Sequence, residues 1–217
     1  MRVWYVSYGS NMHAARLRCY LAGGRPTGGA RTYPGCRDPR PPSRSVPAVL
    51  PGAVYFALES RVWTGGMAFY DPDGPGEVWA RAHLVTAGQF CDIAAQEMHR
   101  MPEDDAEACP GLRRGPGLEL DLSAVVARGR VSIGPGRYET LVCPGMLDGR
   151  PMLTFTAPWG AGDVTHNRPS ARYLAHLTAG LREAGAWDEE QIAGYLARCR
   201  SGEVWARGGE ATGGGVP

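Results

Sequence analysis

The chain has 217 residues, 43% of them hydrophobic and 21% charged, which is the composition of a globular protein long enough to bury a core of its own. Its formal net charge of +1 gives no reason to expect nucleic acid or an anionic membrane as a partner, and its apolar runs are too short to span a bilayer. All 23 of its Lys-plus-Arg positions are Arg, which excludes Schiff-base catalysis, a lysine-bound pyridoxal cofactor and a Walker A phosphate loop, since each needs a Lys side chain.

Cys19, Cys36, Cys91, Cys109, Cys143 and Cys199 include no C-x-x-C pair, so zinc ribbons and redox motifs find no support. The five histidines form no H-E-x-x-H motif, and no metal and no cofactor are expected. Arg2 leads straight into a strand-like segment without the apolar stretch of a signal peptide. The expectation is a cytoplasmic protein with reduced thiols.

In chain order, residues 3–12 come first. A β-rich run breaks at Gly9, Asn11 follows as a candidate N-cap, and residues 12–22 read as a helix with Leu17, Tyr20 and Leu21 on its apolar stripe. Strand, tight loop and helix would turn backbone N–H groups and a helix N-terminus towards a carboxylate or amide oxygen. On this local pattern alone an ordinary βα turn is the competing reading. Residues 25–52 carry Pro34, Pro39, Pro41, Pro42, Pro47 and Pro51, which rule out helix and central strand. They read as a long stiff surface loop, either a pocket wall or a mere connection.

Residues 53–58, 62–70 and 78–85 read as strands, with Gly65-Gly66 marking a bulge or a close backbone approach and residues 71–76 a turn. Further strands are expected at 118–122, 138–143 and 152–156. Residues 99–117, with an acidic cluster and then Arg113-Arg114, read as a solvated loop. Helices are expected at 171–184 and 188–200, the second opened by an Asp188/Gln191 capping box. Residues 1–204 make one domain and 205–217 a Gly-rich disordered tail. Short strands mixed with a few helices indicate an α+β fold, a small mixed β-barrel with flanking helices.

One helix carries an anomaly. Thr86 and Gln89 make a capping box, and Phe90, Ile93, Ala94 and Met101 then recur on one face of a 3.6-residue helix, with Met98 beside them. The position in the middle of that stripe is Glu97. A carboxylate on a buried face is costly unless paired or protonated, and burial raises its pKa towards the range useful for proton transfer. A salt bridge to Arg100, or emergence at the domain edge, is the structural alternative.

Tyr8-Gly9-Ser10-Asn11 after the first strand, followed later by Gln96-Glu97, resembles the γ-glutamylcyclotransferase-like superfamily. The C-terminal Pro169-Ser170-Ala171-Arg172-Tyr173 is similar to the family's closing segment. The resemblance covers residues 3–200, although Met98 stands where the family often has Gly and the next tyrosine is Tyr138. It implies an enzyme that closes the glutamyl half of a small γ-glutamyl amide into 5-oxoproline and releases the amine. Glu97 would be the general acid/base, backbone N–H groups at Gly9 to Asn11 would hold the carboxylate or oxyanion, Tyr8 would line the pocket and Tyr138 would offer a hydroxyl. The partner it implies is a small-molecule substrate, with no nucleic acid, no membrane and no metal.

Two other readings use the same residues. Water or a second amine in place of the substrate's own amine would make the protein an amidohydrolase or acyl transferase. Without chemistry, the same pocket would be a small-molecule-binding module.

Overall fold

The first strand, β1 (Arg2–Ser7), is apolar on both sides and is buried on both sides. Its side chains alternate between two cores: Val3 and Tyr5 join one, and Trp4 and Val6 the other. This is seen in a computed structural model, which describes residues 1–98 and 120–201. The expected loop at 99–117 and the expected tail at 205–217 lie outside the described residues.

After β1 and a 3₁₀ turn at Ser10–Met12 come α1 (Ala14–Ala22), β2 (Arg44–Pro51), β3 (Ala53–Ala57), β4 (Met67–Asp71) and β5 (Glu77–Thr86). They are followed by α2 (Ala87–Glu97), α3 (Leu122–Arg128), β6 (Arg130–Ser132), β7 (Thr140–Leu147), β8 (Arg150–Thr156), α4 (Ala171–Ala184) and α5 (Glu189–Ser201). A six-stranded sheet runs β2-β5-β1-β8-β7-β6, and β3 and β4 pair separately. In the larger sheet β1 and β8 run parallel, and the other neighbours are antiparallel.

The fold is α+β, as expected, but the sheet is open and not closed into a barrel. Its edges are β2 and the three-residue β6. The proline-rich stretch explains one edge. Pro47 and Pro51 sit at positions of the same parity in β2, opposite Arg81 and Glu77, where a missing N–H costs nothing if that side of the strand has no neighbour. Residues 44–51, read as loop, are therefore an edge strand.

Leu17, Tyr20, Phe90, Ile93 and Val125 from α1, α2 and α3 pack with Tyr5 and Phe155. Leu177, Leu181, Ile192, Tyr195 and Leu196 from α4 and α5 pack with Trp4 and Val6 on the other side. The β3–β4 hairpin feeds both cores, with Tyr55 and Phe69 in the first and Phe56 and Tyr70 in the second. Among the described residues no helix is long and apolar enough to cross a membrane.

Other differences are local. Asn11 does not cap a helix: it lies in the 3₁₀ turn, and α1 starts after His13, whose side chain makes no capping bond. Residues 62–66 are a turn and not strand. Thr64 and Gly65 have φ of 61° and 67°, and the Ser60 hydroxyl accepts from the N–H groups of Val62 and Trp63. The close approach expected at Gly65-Gly66 is real, since a Cβ on Gly65 would lie 2.5 Å from the Arg168 carbonyl oxygen. The strand expected at 138–143 runs instead from Thr140 to Leu147 and carries a register shift between Val142 and Gly145. Of the strand expected at 118–122, the described end is irregular and Leu122 opens α3, capped by Asp121. Both capping boxes form, Thr86 with Gln89 and Asp188 with Gln191.

Candidate active site

The end of β1 and the turn after it open onto a cleft of about 680 Å³, counted out to its mouth. All six residues singled out from the sequence line it: Tyr8, Gly9, Ser10, Asn11, Glu97 and Tyr138. The joint between loop and glutamate is direct. Asn11 Nδ2 donates to Glu97 Oε1 at 3.1 Å and to the Tyr5 hydroxyl at 3.1 Å. The residue expected to cap a helix instead spends its amide on the carboxylate 86 positions away.

Glu97 is half-buried and ends α2. Its neighbour Gln96 donates to the Tyr20 carbonyl at 3.1 Å, which fastens this end of α2 to α1. The Glu97 carboxylate also acts on the Tyr20 side chain, whose hydroxyl accepts from Arg16 Nη2 at 3.2 Å. Burial first, and the Glu97 carboxylate after it, push the Tyr5 and Tyr20 hydroxyls above the ordinary phenol range. Both stay protonated, as neutral groups around a carboxylate.

The turn itself is packed from behind. Gly9 has φ −113°, which any residue adopts, but a Cβ there would stand 3.1 Å from the Tyr173 hydroxyl. Across the same contact, α4 meets the turn at Gly180, where a Cβ would lie 2.7 Å from the His13 nitrogen. The Tyr173 hydroxyl in turn accepts from the Ala68 backbone N–H at 3.4 Å.

The tyrosines are likewise committed. Tyr8 donates to the Phe155 carbonyl at 2.8 Å, so it shapes the wall with its ring. Tyr138 donates to the Ala68 carbonyl at 3.0 Å, which leaves its oxygen as an acceptor. Burial holds both hydroxyls well above the usual range.

The sequence reading missed the buried cation of the site, in a cleft that Arg61 and Arg137 also line. Arg16, on α1, is 2% exposed and lines the cleft. Its guanidinium lies 4.4 Å from the Tyr20 ring centre, 4.3 Å from that of Tyr33 and 5.5 Å from that of Trp63. Nη2 donates to the Tyr20 and Tyr33 hydroxyls at 3.2 and 2.6 Å. Tyr33 comes from the proline-rich stretch, which therefore does wall the cleft. A signal was present: Arg16 stands four residues before Tyr20 on the buried stripe of α1, the same kind of anomaly that marked Glu97.

That stretch is anchored on α2. Asp92, 1% exposed, accepts from the Arg37 backbone N–H at 2.9 Å and from its guanidinium at 3.0 to 3.2 Å. Gln89 donates to the carbonyls of Asp38 and Arg40. The helix that ends in the glutamate thus also fixes the loop that places Tyr33. Among the described residues no three His, Cys, Asp or Glu side chains gather in a way that would hold a metal ion.

No family model matches the chain. Among curated proteins it is 30% identical over 209 residues to histone deacetylase 5 of Arabidopsis thaliana, an alignment covering 89% of this chain and 30% of that protein. The chain therefore spans less than a third of that relative's length. Among solved structures it is similar to a gamma-glutamyl cyclotransferase, at 16% identity and a TM-score of 0.45, over 91% of this chain and 88% of the other. An uncharacterized protein from Homo sapiens is similar at 17% identity and a TM-score of 0.45, over 90% and 87% of the two chains. YkqA from Bacillus subtilis is similar at 15% and 0.45, over 92% and 55%.

Proposed function

We propose that the protein is a γ-glutamyl cyclotransferase-type enzyme, with Glu97 moving the protons as a small γ-glutamyl amide closes to 5-oxoproline. The observation that carries this reading is the 3.1 Å contact between Asn11 Nδ2 and Glu97 Oε1, which joins the loop to the carboxylate at the wall of one cleft. The sequence motifs at Tyr8 to Asn11 and Gln96-Glu97 support it.

The reaction asks little of an enzyme beyond geometry and proton transfer. The substrate's α-ammonium gives a proton to Glu97, and the freed amine attacks its own γ-carbonyl carbon. As the ring C–N bond forms and the amide C–N bond breaks, Glu97 returns the proton to the departing nitrogen. The second proton shed by the attacking nitrogen completes the released ammonium. Holding the chain folded supplies much of the rate, and a carboxylate acting as acid and base adds about 10²–10⁴-fold. Asn11 keeps one carboxylate oxygen in place.

The test is to incubate purified protein with a panel of γ-glutamyl amides and follow 5-oxoproline and free amine by chromatography. Turnover by the wild type with about 10²-fold or greater loss in Glu97→Gln is the expected result. No 5-oxoproline from any substrate, with Glu97→Gln behaving as wild type, refutes it. Free glutamate as product would mean that water is the acceptor.

A further inference from the structure

Among the described residues, four buried polar atoms without a hydrogen-bond partner belong to residues that line the cleft: Asn11 Oδ1, Arg16 Nε, Arg16 Nη1 and Thr154 Oγ1. Native proteins leave few such groups, and an orphaned cation is the costliest kind. Of the five N–H bonds of the Arg16 guanidinium, the two on Nη2 are taken by the tyrosine hydroxyls. Three remain, on a side chain 2% exposed to solvent. The surrounding rings of Tyr20, Tyr33 and Trp63 offset part of the desolvation through their faces, but a ring face accepts no conventional hydrogen bond.

The orphaned atoms differ in sign. Arg16 offers donors and positive charge. Asn11 offers an acceptor, because an ionised carboxylate only accepts: the amide nitrogen must face Glu97, and Oδ1 is left over. Glu97 adds negative charge on that side. A ligand satisfying all of them carries an anion at one end and an ammonium close by, which is the head group of an α-amino acid. We infer that Arg16 is the carboxylate clamp of this cleft, and that Asn11 Oδ1 with Glu97 receives the α-ammonium of the same ligand.

This rests on the reading of the cleft as a γ-glutamyl site, and it assigns that site's orientation. The carboxylate lies among the aromatic rings of α1 and the proline-rich stretch, and the ammonium lies against the base that must deprotonate it. Arg16 is then a binding residue that selects for the glutamyl half and touches none of the reacting atoms.

Three probes differing by one group each test the inference on the intact protein. L-Glutamine carries both charges, 4-aminobutanamide lacks the carboxylate, and glutaramic acid lacks the ammonium. Binding to the wild type is measured by calorimetry or by NMR titration. The expected order is glutamine tighter than either analogue, with loss of the carboxylate costing roughly ten- to a hundredfold, the range of a charged hydrogen bond. In Arg16→Gln, checked for folding by circular dichroism, glutamine and 4-aminobutanamide should bind within a few-fold of each other.

Equal binding of the two by the wild type overturns the clamp, as does absence of glutamine binding. So does Arg16→Gln with the wild-type ratio intact. If Arg16→Gln does not fold, the wild-type comparison of the three probes still decides. The two readings fail separately: glutamine held through Arg16 without 5-oxoproline from any amide refutes the cyclase and leaves the clamp. Turnover that ignores the carboxylate does the reverse.

Discussion

The 3₁₀ turn that carries Asn11 is held in place by a glycine on a helix that makes no part of the proposed chemistry. Gly180 lies inside α4, where Gly→Ala ordinarily stabilises by about 1 kcal/mol through helix propensity. Here an added methyl would meet backbone, 2.7 Å from His13 N and from the Met12 carbonyl carbon, and would press on Met12 Cβ. To reach the 3.4 Å of ordinary contact the turn must retreat by about 0.7 Å at its backbone and about 1.1 Å at Met12 Cβ, which moves with that backbone. Overpacking of this kind costs about 1–3 kcal/mol, and the upper end applies because backbone cannot rotate out of the way. The net expectation for Gly180→Ala is about 1–2 kcal/mol of destabilisation, or a Tm lower by roughly 2–8 °C for a chain of this size. Gly194→Ala in α5 is the matched control, with the same propensity gain and only the end of the Arg198 side chain at 3.5 Å. It should raise Tm by roughly 2–4 °C. Because Asn11 moves with the turn, Gly180→Ala should also lower kcat/KM for 5-oxoproline release by about tenfold or more, given that a 1 Å misplacement costs on the order of 10²-fold. Thermal unfolding and product release are measured on both variants. If Gly180→Ala proves as stable and as active as Gly194→Ala, the contact does not position the site.

Two further predictions concern groups behind the cleft. In the Arg37–Asp92 pair the carboxylate is buried (1% side-chain exposure) and the guanidinium half-exposed (50%), so the two deletions are not equivalent. Arg37→Ala leaves the buried charge with the backbone N–H of residue 37 but without its counter-charge and should cost about 3 kcal/mol, whereas Asp92→Asn lets Arg37 hydrate and should cost about 1 kcal/mol. Urea unfolding of the two variants checks the order, and an equal or larger loss in Asp92→Asn refutes it. His83 is 1% exposed, and burial first, then the Arg81 charge, hold its pKa down to about 3. In the unfolded chain it protonates near the ordinary value of about 6.5. Between those values the unfolded state binds the extra proton, so stability falls as pH drops from about 6.5 towards about 3. His83→Gln should lose less stability than wild type between pH 7 and pH 5, as urea midpoints would show, and an identical loss in both would sink the assignment.

Some of this was legible along the chain and some was not, for physical reasons. Capping boxes at Thr86/Gln89 and Asp188/Gln191, the glycine pair at 65–66 and the apolar stripes of α2, α4 and α5 are local, and a run of residues displays them whatever it packs against. The strand at 44–51 hid behind its prolines, because Pro47 and Pro51 are compatible with a strand only if one side has no neighbour, and sheet order is a property of the whole fold. Asn11 misled for a similar reason. Its side chain is as well suited to capping a helix as to holding a distant carboxylate, and only the return of α2 to the end of β1 decides between them.

Arg16 is the more instructive miss. Glu97 was noticed because it interrupts an apolar stripe, and Arg16 interrupts another by the same criterion, four residues before Tyr20 on the buried face of α1. A single polar residue on a buried helix face has many innocent explanations, since it can emerge at an edge or find a private partner. Two such residues of opposite charge, on two helices tied together by Gln96, leave fewer. Here they line one cleft and make no direct ion pair with each other, so each keeps charge to spend on something else. A half-buried acid and a buried base held apart across a cavity are most simply stabilised by a ligand carrying the complementary pair, and that complement is the zwitterionic end of an amino acid.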